Sequence, residues 1–451
     1  MSRKILLSLA VFAGSLNLWC QVEPSATGGA GNSDDDSLMT LPPSVSGSFY
    51  PSEVGDRYKE NSLSVGVLFT AAYDDNVLAG EEIKKIAAES YTILPNIALN
   101  SRTSRLNGSL RYAPGFMFYH PSTELNNVTQ NAIADFQYRF SPHTTVGLQE
   151  SFQQNSTAFS APYTVAGATI SGSGTSTVPI VIFPYGGQIA DYTNGLIGYQ
   201  FSRSSMISAS GYFSTFHFSG SSLSAGLNNS NGGGGGASYS RRLTRTQYLG
   251  LSYRYSISNT NPYDSTTDSH TGSIFYSIDI GKAFSLSLSG GPEYSTTKTP
   301  GTVSTTPGPV SASDWAPSVN AGFGWQKKRA NFALTYAHSI TTGYGLLGSF
   351  TSNSASALVS WQFSRRLVGG INASYANTNS TVSSLATFNS TGHNVFGRAS
   401  LLYELGAHLN LVGEYFRLHE AYSGIAAISS NPDDDRVAIS LNYALTRPLG
   451  R

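Results

Sequence analysis

From about residue 62 to residue 445, apolar and polar side chains alternate along segment after segment of roughly 12–16 residues. A strand sends successive side chains to opposite faces, so each such segment has one apolar and one polar face. In the segment from Val128, Ala132, Ala134, Phe136, Tyr138 and Phe140 share one face, and Asn131, Ile133, Asp135, Gln137 and Arg139 share the other. The last segment sets Val437, Ile439, Leu441, Tyr443 and Leu445 against Arg436, Ser440 and Asn442. Ordinary globular strands have about 5–6 residues, whereas a strand that crosses a bilayer needs about 9–11. The pattern predicts an all-β chain forming a transmembrane antiparallel β-barrel.

Two kinds of connection alternate between the segments. Short ones, bearing Arg, Lys or Ser-Pro, are read at 101–105, 141–144, 202–205, 241–246, 281–283, 326–329, 364–367 and 405–408. Long ones, rich in Gly, Ser, Thr and Asn, are read at 154–188, 220–236, 259–270, 296–313, 377–391 and 421–435. Bacterial outer-membrane barrels join their strands by short periplasmic turns and long extracellular loops. The segments number about 18, within a range of 16–20, and both termini are expected in the periplasm. The segment around 232–243 is the weakest of them. A spacing of roughly 40 residues between short turns also evokes a propeller, but a blade packs four short strands into that length where this chain has two long ones.

Charge placement tells lumen from lipid, because Arg or Lys facing lipid at mid-bilayer costs about 2–4 kcal/mol in a barrel. Arg111, Asp135, Arg139, Arg254, Arg398, Glu404 and Glu414 all fall on the polar parity and are the lumen-lining candidates. Each taken singly fits a solvating or cross-linking role in the wall, and together they describe a polar lumen. Glu150 breaks the rule by sharing parity with Val146, Leu148 and Phe152, which predicts a register-flipping bulge near 149–151. The 154–188 connection is expected to fold inward as a constriction.

Composition supports this reading. The chain of 451 residues has a formal net charge of +0, which argues against nucleic acid as a partner. Only 12% of residues are charged, against about 25% in typical soluble domains. The mean hydropathy of −0.14 would rule against a helical membrane protein but suits a barrel, where every second residue faces lipid.

Residues 1–20 read as a signal peptide, with Arg3 and Lys4 before an apolar stretch from Ile5 to Leu18. Trp19 stands where a lipoprotein signal needs a small residue, so lipidation of Cys20 is not the expectation. Residues 21–61 read as a Gly-, Pro- and Asp-rich disordered tether, and 62–451 as the barrel.

Catalytic patterns are scarce. No G-x-S-x-G or H-E-x-x-H occurs, and one cysteine permits no paired thiol site. No cofactor, metal centre or enzymatic activity is expected. His419 with Glu420, and His270 with Asp268, are the pairs from which a rim hydrolase would be built. Adjacent strand residues point apart, which weakens the first. The glycine run 232–236 lacks the Lys and helix of a phosphate loop and reads as loop leading into a strand. Asp433, Asp434 and Asp435 read as a solvated acidic loop rather than a cation site, and residues 81–89 as a short loop helix.

Three segments carry a resemblance: Ala72-Tyr73-Asp74-Asp75-Asn76-Val77, Leu110-Arg111-Tyr112-Ala113-Pro114-Gly115-Phe116, and Asp135-Phe136-Gln137-Tyr138-Arg139-Phe140-Ser141-Pro142. With them the chain resembles the outer-membrane β-barrel porins associated with exopolysaccharide loci and similar Acidobacteria-type barrels, over residues 62 to the C-terminus. The resemblance implies location and shape, and brings no catalytic residues. It departs at the end, where Arg447-Pro448-Leu449-Gly450-Arg451 follows the place of the usual terminal aromatic; loss of these five residues is expected to leave assembly intact. The expected function is a channel for passive diffusion or export of small polar solutes or saccharides. The alternative is a non-conducting surface scaffold or adhesin working through its loops. Expected partners are outer-membrane lipid and lipopolysaccharide, the barrel-assembly machinery, a polysaccharide or small polar solute, and further copies in a homo-oligomer.

Overall fold

A computed structural model describes residues 61–77, 85–157, 185–219, 228–261, 264–281, 283–300, 310–327, 329–342, 348–381, 391–423 and 433–449. The expected signal peptide, Cys20, the expected tether up to residue 60 and the 158–184 part of the expected constriction lie outside the described residues. Eighteen strands follow one another. They are β1 (Asn61–Asp74), β2 (Ala88–Arg102), β3 (Leu106–His120), β4 (Asn127–Arg139), β5 (Thr144–Thr157), β6 (Tyr185–Ser202), β7 (Ser205–Ser219), β8 (Asn229–Thr244) and β9 (Gln247–Asn261). The second half comprises β10 (Ser265–Ile280), β11 (Phe284–Thr299), β12 (Val310–Lys327), β13 (Ala330–Thr342), β14 (Ser349–Gln362), β15 (Leu367–Ser380), β16 (Thr391–Glu404), β17 (Leu409–Ser423) and β18 (Asp433–Pro448).

Each strand pairs antiparallel with its chain neighbours, and β1 pairs with both β2 and β18, so the sheet closes into a barrel. All eight expected short turns fall between strands at one end. The first and last strands start and stop at that same end, where Leu449 N–H donates to the Asn61 carbonyl. The final strand therefore runs through Arg447 and Pro448, paired with Leu63 and Ser62, so the five-residue tail is partly wall rather than appendage.

The alternation sorts the wall into two surfaces. Outward go Val65, Ile97, Leu148, Ile197, Leu251, Ile274, Ile371 and Ile439, all exposed. Aromatics flank this aliphatic band. Phe140, Tyr199, Phe201, Phe284, Trp361 and Tyr403 lie towards the short turns, and Tyr73, Tyr91, Phe118 and Trp315 towards the long connections. On β12, Trp315 and Trp325 share the outer face ten residues apart, matching the about 9–11 residues of a bilayer crossing. Inward go Ser and Thr in cross-strand pairs: Ser208 with Ser238 at 2.6 Å, Ser252 with Ser273 at 2.7 Å, Thr267 with Thr297 at 2.9 Å and Thr335 with Ser356 at 2.6 Å. Such pairs contribute about 0.2–1 kcal/mol each and satisfy hydroxyls on the wetter face.

Prolines mark where ladders part. Pro292 and Pro317 are directly opposite in β11–β12, and neither has an N–H, so theirs is a non-hydrogen-bonded pair whose backbone edges face away from each other. On the far side of Pro292 the β10–β11 ladder skips from Thr271–Glu293 to Ile274–Gly290. On the far side of Pro317 the β12–β13 ladder stops at Val319–His338, leaving 310–318 of β12 paired with β11 alone among the described residues. There the end of β13 reaches the inner face of β11, where Ile340 N–H donates to Glu293 Oε2 at 3.0 Å.

Several expectations change. No register shift occurs at 149–151; the β4–β5 and β5–β6 ladders run unbroken through Glu150, and β5–β6 shifts only between Asn155 and Thr157. Glu150 thus faces outward without a bulge, and the Thr193 hydroxyl donates to its Oε2 at 2.6 Å. Solvation by a neighbour on the same face replaces the register flip. The long connection read at 259–270 shrinks to 262–264, because β9 and β10 extend into it. Gly232–Gly236 lie inside β8. Of the expected helix at 81–89, Lys85–Ala87 have no regular structure and Ala88 and Glu89 begin β2; 81–84 lie outside the described residues.

Candidate functional site: the inner wall

Five of the seven candidates cluster into three patches on the inner surface. Arg398 on β16 and Glu414 on β17 form an ion pair with side chains 17% and 13% exposed, and the Arg398 guanidinium lies 4.8 Å over the Phe416 ring. Phe416 packs against Phe396 at 6.3 Å. Arg111 and Asp135 lie diagonally across the β3–β4 ladder, near enough for their charges to interact. Arg254, on β9 opposite Gly236 of β8, lies near Tyr212. The remaining two, Arg139 and Glu404, sit apart from these patches at the short-turn rim, where their N–H groups donate to the Arg105 and Arg366 carbonyls.

The arginine on β9 has company that periodicity did not reveal. Tyr192 of β6 and Tyr212 of β7 stack on the inner face with centroids 5.9 Å apart and planes at 20°. The Tyr212 ring lies over Gly234, where a Cβ would run into it and into the Tyr255 carbonyl. The glycine run therefore serves as a recess for a ring. Its signal in the sequence was five glycines in a segment of strand length, and what they make room for lies on another strand.

The second unforeseen cluster lies at the seam. Asp434 is 1% exposed and inward, not part of a solvated loop, because β18 begins at Asp433. Carboxylate oxygens of Asp74, Asp75 and Asp434 lie within 4.8 Å of one another. Asp74 is opposite Arg436 in the closing ladder. Asn76 Nδ2 donates to the Asp433 carbonyl at 2.8 Å, and Asp435 N–H to Asp75 Oδ1 at 2.7 Å. Like charges this close need neutralisation, which Arg436, a shared proton or a hard cation with oxygen ligands would each supply. Outside, Asp433 and Asp435 engage His419 at 2.8 Å and Arg417 at 3.0 Å.

The hydrolase pairings do not assemble. His419 turns outward to Asp433, while Glu420 is fully buried on the other face. His270 bonds the Tyr253 hydroxyl at 2.7 Å and Asp268 accepts from Tyr255 at 3.0 Å.

Towards the long-connection end buried apolar side chains join the polar ones on the inner wall. Met117, Tyr119, Val77, Ala88 and Leu125 form one buried cluster. Phe218, Phe350 and Leu418 are 1%, 2% and 0% exposed there. The expected polar lumen thus carries apolar patches towards this end, beside the buried Asn394, Glu420 and Asp434.

No protein-family model matches the chain, and no curated protein does. Among solved structures it is similar to OccAB4 of Acinetobacter baumannii, at 11% identity and a TM-score of 0.41, covering 87% of this chain and 99% of that one. It is also similar to OccK1 (OpdK) of Pseudomonas aeruginosa, at 11% identity and 0.40, covering 86% and 99%. A third is OccK2 (OpdF) of the same organism in complex with glucuronate, at 10% identity and 0.41, covering 86% and 98%. Identities and scores at this level transfer no residue, role or solute to this chain.

Proposed function

We propose that the chain is an outer-membrane channel for passive diffusion or export of small polar solutes or saccharides, with the short turns in the periplasm. One observation carries the reading: the wall separates an exposed aliphatic band between aromatic belts from an inner face of hydroxyl ladders and charges of both signs. Backbone groups that cross hydrocarbon must be satisfied within the protein, and a closed barrel does this while leaving a polar interior. A barrel of 16–18 strands is wide enough for water. Arg398 with Glu414 and Arg111 with Asp135 present paired charges rather than one sign, which suits neutral or zwitterionic polar solutes over a single class of ion. Stacked Tyr192 and Tyr212 beside Arg254 offer a flat face of the kind that sugar rings pack against.

Single-channel recording of the refolded barrel in a planar bilayer tests this. Discrete steps are expected. Silence from protein with the heat-modifiable gel mobility of a folded barrel favours the second reading, a non-conducting surface scaffold. The buried Phe218, Phe350 and Leu418 at the long-connection end are the observation on that side.

A further inference from the structure

On the outer wall near the short turns, β6 to β9 form a groove of about 600 Å³. Two rows of the sheet line it, with a glycine row above them. The middle row runs Ile197, Ala209, Ala237 and Tyr253, so two alanines form a floor between taller walls. The row above, beyond the groove's lining, runs Gly195, Gly211, Gly235 and Tyr255. In the row below, Tyr199 and Tyr239 bring phenol groups to the level of the aromatic belt, where amphipathic rings meet lipid headgroups.

Directly under this belt lies a concentration of one charge. Arg203 occupies the β6–β7 turn, Arg241 is exposed on the outer parity of β8, and Arg245 is exposed in the β8–β9 turn. Arg242 Nη2 donates to the Arg203 carbonyl at 2.9 Å, which fastens the two turns side by side. Asp279, whose N–H meets the Thr246 carbonyl, has inward parity and does not join them.

We propose that this groove binds one anionic phospholipid, with an acyl chain on the Ala209–Ala237 floor and the phosphate between Arg203 and Arg241. An apolar recess facing hydrocarbon fills with hydrocarbon, because nothing on its floor can hold water. Guanidinium groups match phosphate geometry with paired hydrogen bonds. A second barrel docked here across a two-fold axis would set arginine against arginine, so the charge selects an anion as occupant. The proposal rests on the membrane reading above and is independent of whether the lumen conducts.

Native mass spectrometry of the full chain tests it, after incubation in detergent with equimolar phosphatidylglycerol and phosphatidylcholine of identical chains. A one-lipid adduct is expected, enriched several-fold in phosphatidylglycerol. In the R203Q/R241Q double variant that preference should vanish while heat-modifiable mobility stays normal. In A237F the floor is filled, and the adduct of either lipid should be lost. Equal retention of the two lipids by the unaltered protein overturns the proposal, as does an undiminished preference in R203Q/R241Q. A protein dimer abolished by A237F, with no lipid adduct, would reassign the groove to a second copy. Should A237F not fold, the arginine variant decides alone. Conductance of the same preparations separates a failure here from a failure of the channel reading.

Discussion

Arg398 and Glu414 sit on neighbouring strands with little of either side chain reaching solvent. Breaking one half of such a pair leaves the other charge without its partner, which costs more than the pair itself contributes. Arg398→Met and Glu414→Leu are each expected to lower barrel stability by about 1–3 kcal/mol, with the double variant losing less than the sum. Urea unfolding followed by tryptophan fluorescence measures this, and simple additivity would show that the pair is not coupled. Glu150 presents the opposite case, a carboxyl on the lipid-facing wall held by the Thr193 hydroxyl. Glu150→Leu should raise the unfolding midpoint, since removing an outward charge relieves its transfer cost; a lower midpoint would mean that a partner outside the chain covers this face. Parity in the sequence located both residues correctly relative to their neighbours. It failed on Glu150 only in the remedy, because a register shift and a bonded neighbour solve the same problem and alternation does not distinguish them.

At the scale of the strand, β8 has glycine on both faces from Gly232 to Gly236, and a Cβ on any of the five would crowd a neighbouring carbonyl oxygen, most closely at Gly234. Gly234→Val should cost about 1–3 kcal/mol by overpacking, because its new side chain meets the Tyr212 ring and the Tyr255 carbonyl. Gly397→Val on β16 has open space around its Cβ and should be neutral. Folding yield into detergent, scored by heat-modifiable mobility, separates them; equal yields would show that Tyr212 moves aside without cost. The eight short turns were legible because a brief break, most often with Arg, Lys or Ser-Pro, interrupts a clean alternation at each. The extension of β9 and β10 through 259–270 was not, because Ser, Thr and Asn there occupy both faces and leave no period to detect. The seam cluster was illegible for another reason: Asp74 and Asp434 were both noted, but nothing local says that they meet.

For the molecule as a whole, lumen charge should appear in ion selectivity. If the channel conducts, Glu414→Gln is expected to shift the zero-current potential in a salt gradient towards anion preference, and Arg398→Gln towards cation preference. No shift in either would place the Arg398–Glu414 pair off the permeation path and leave it a purely structural tie.

Closure by β1 and β18 also sets an order of events in time. The bond from Asp435 N–H to Asp75 Oδ1 spans 360 positions of chain, and every contact of that ladder is comparably remote. Pairing at such separation is slow, because loop-closure entropy is lost before any contact forms. β1 therefore waits with one open edge until the rest of the sheet is in place, and an open edge is a template for any other strand. The hazard of making this barrel is concentrated in that interval, and the residues stitching Asp74 to Arg436 mark where the interval ends.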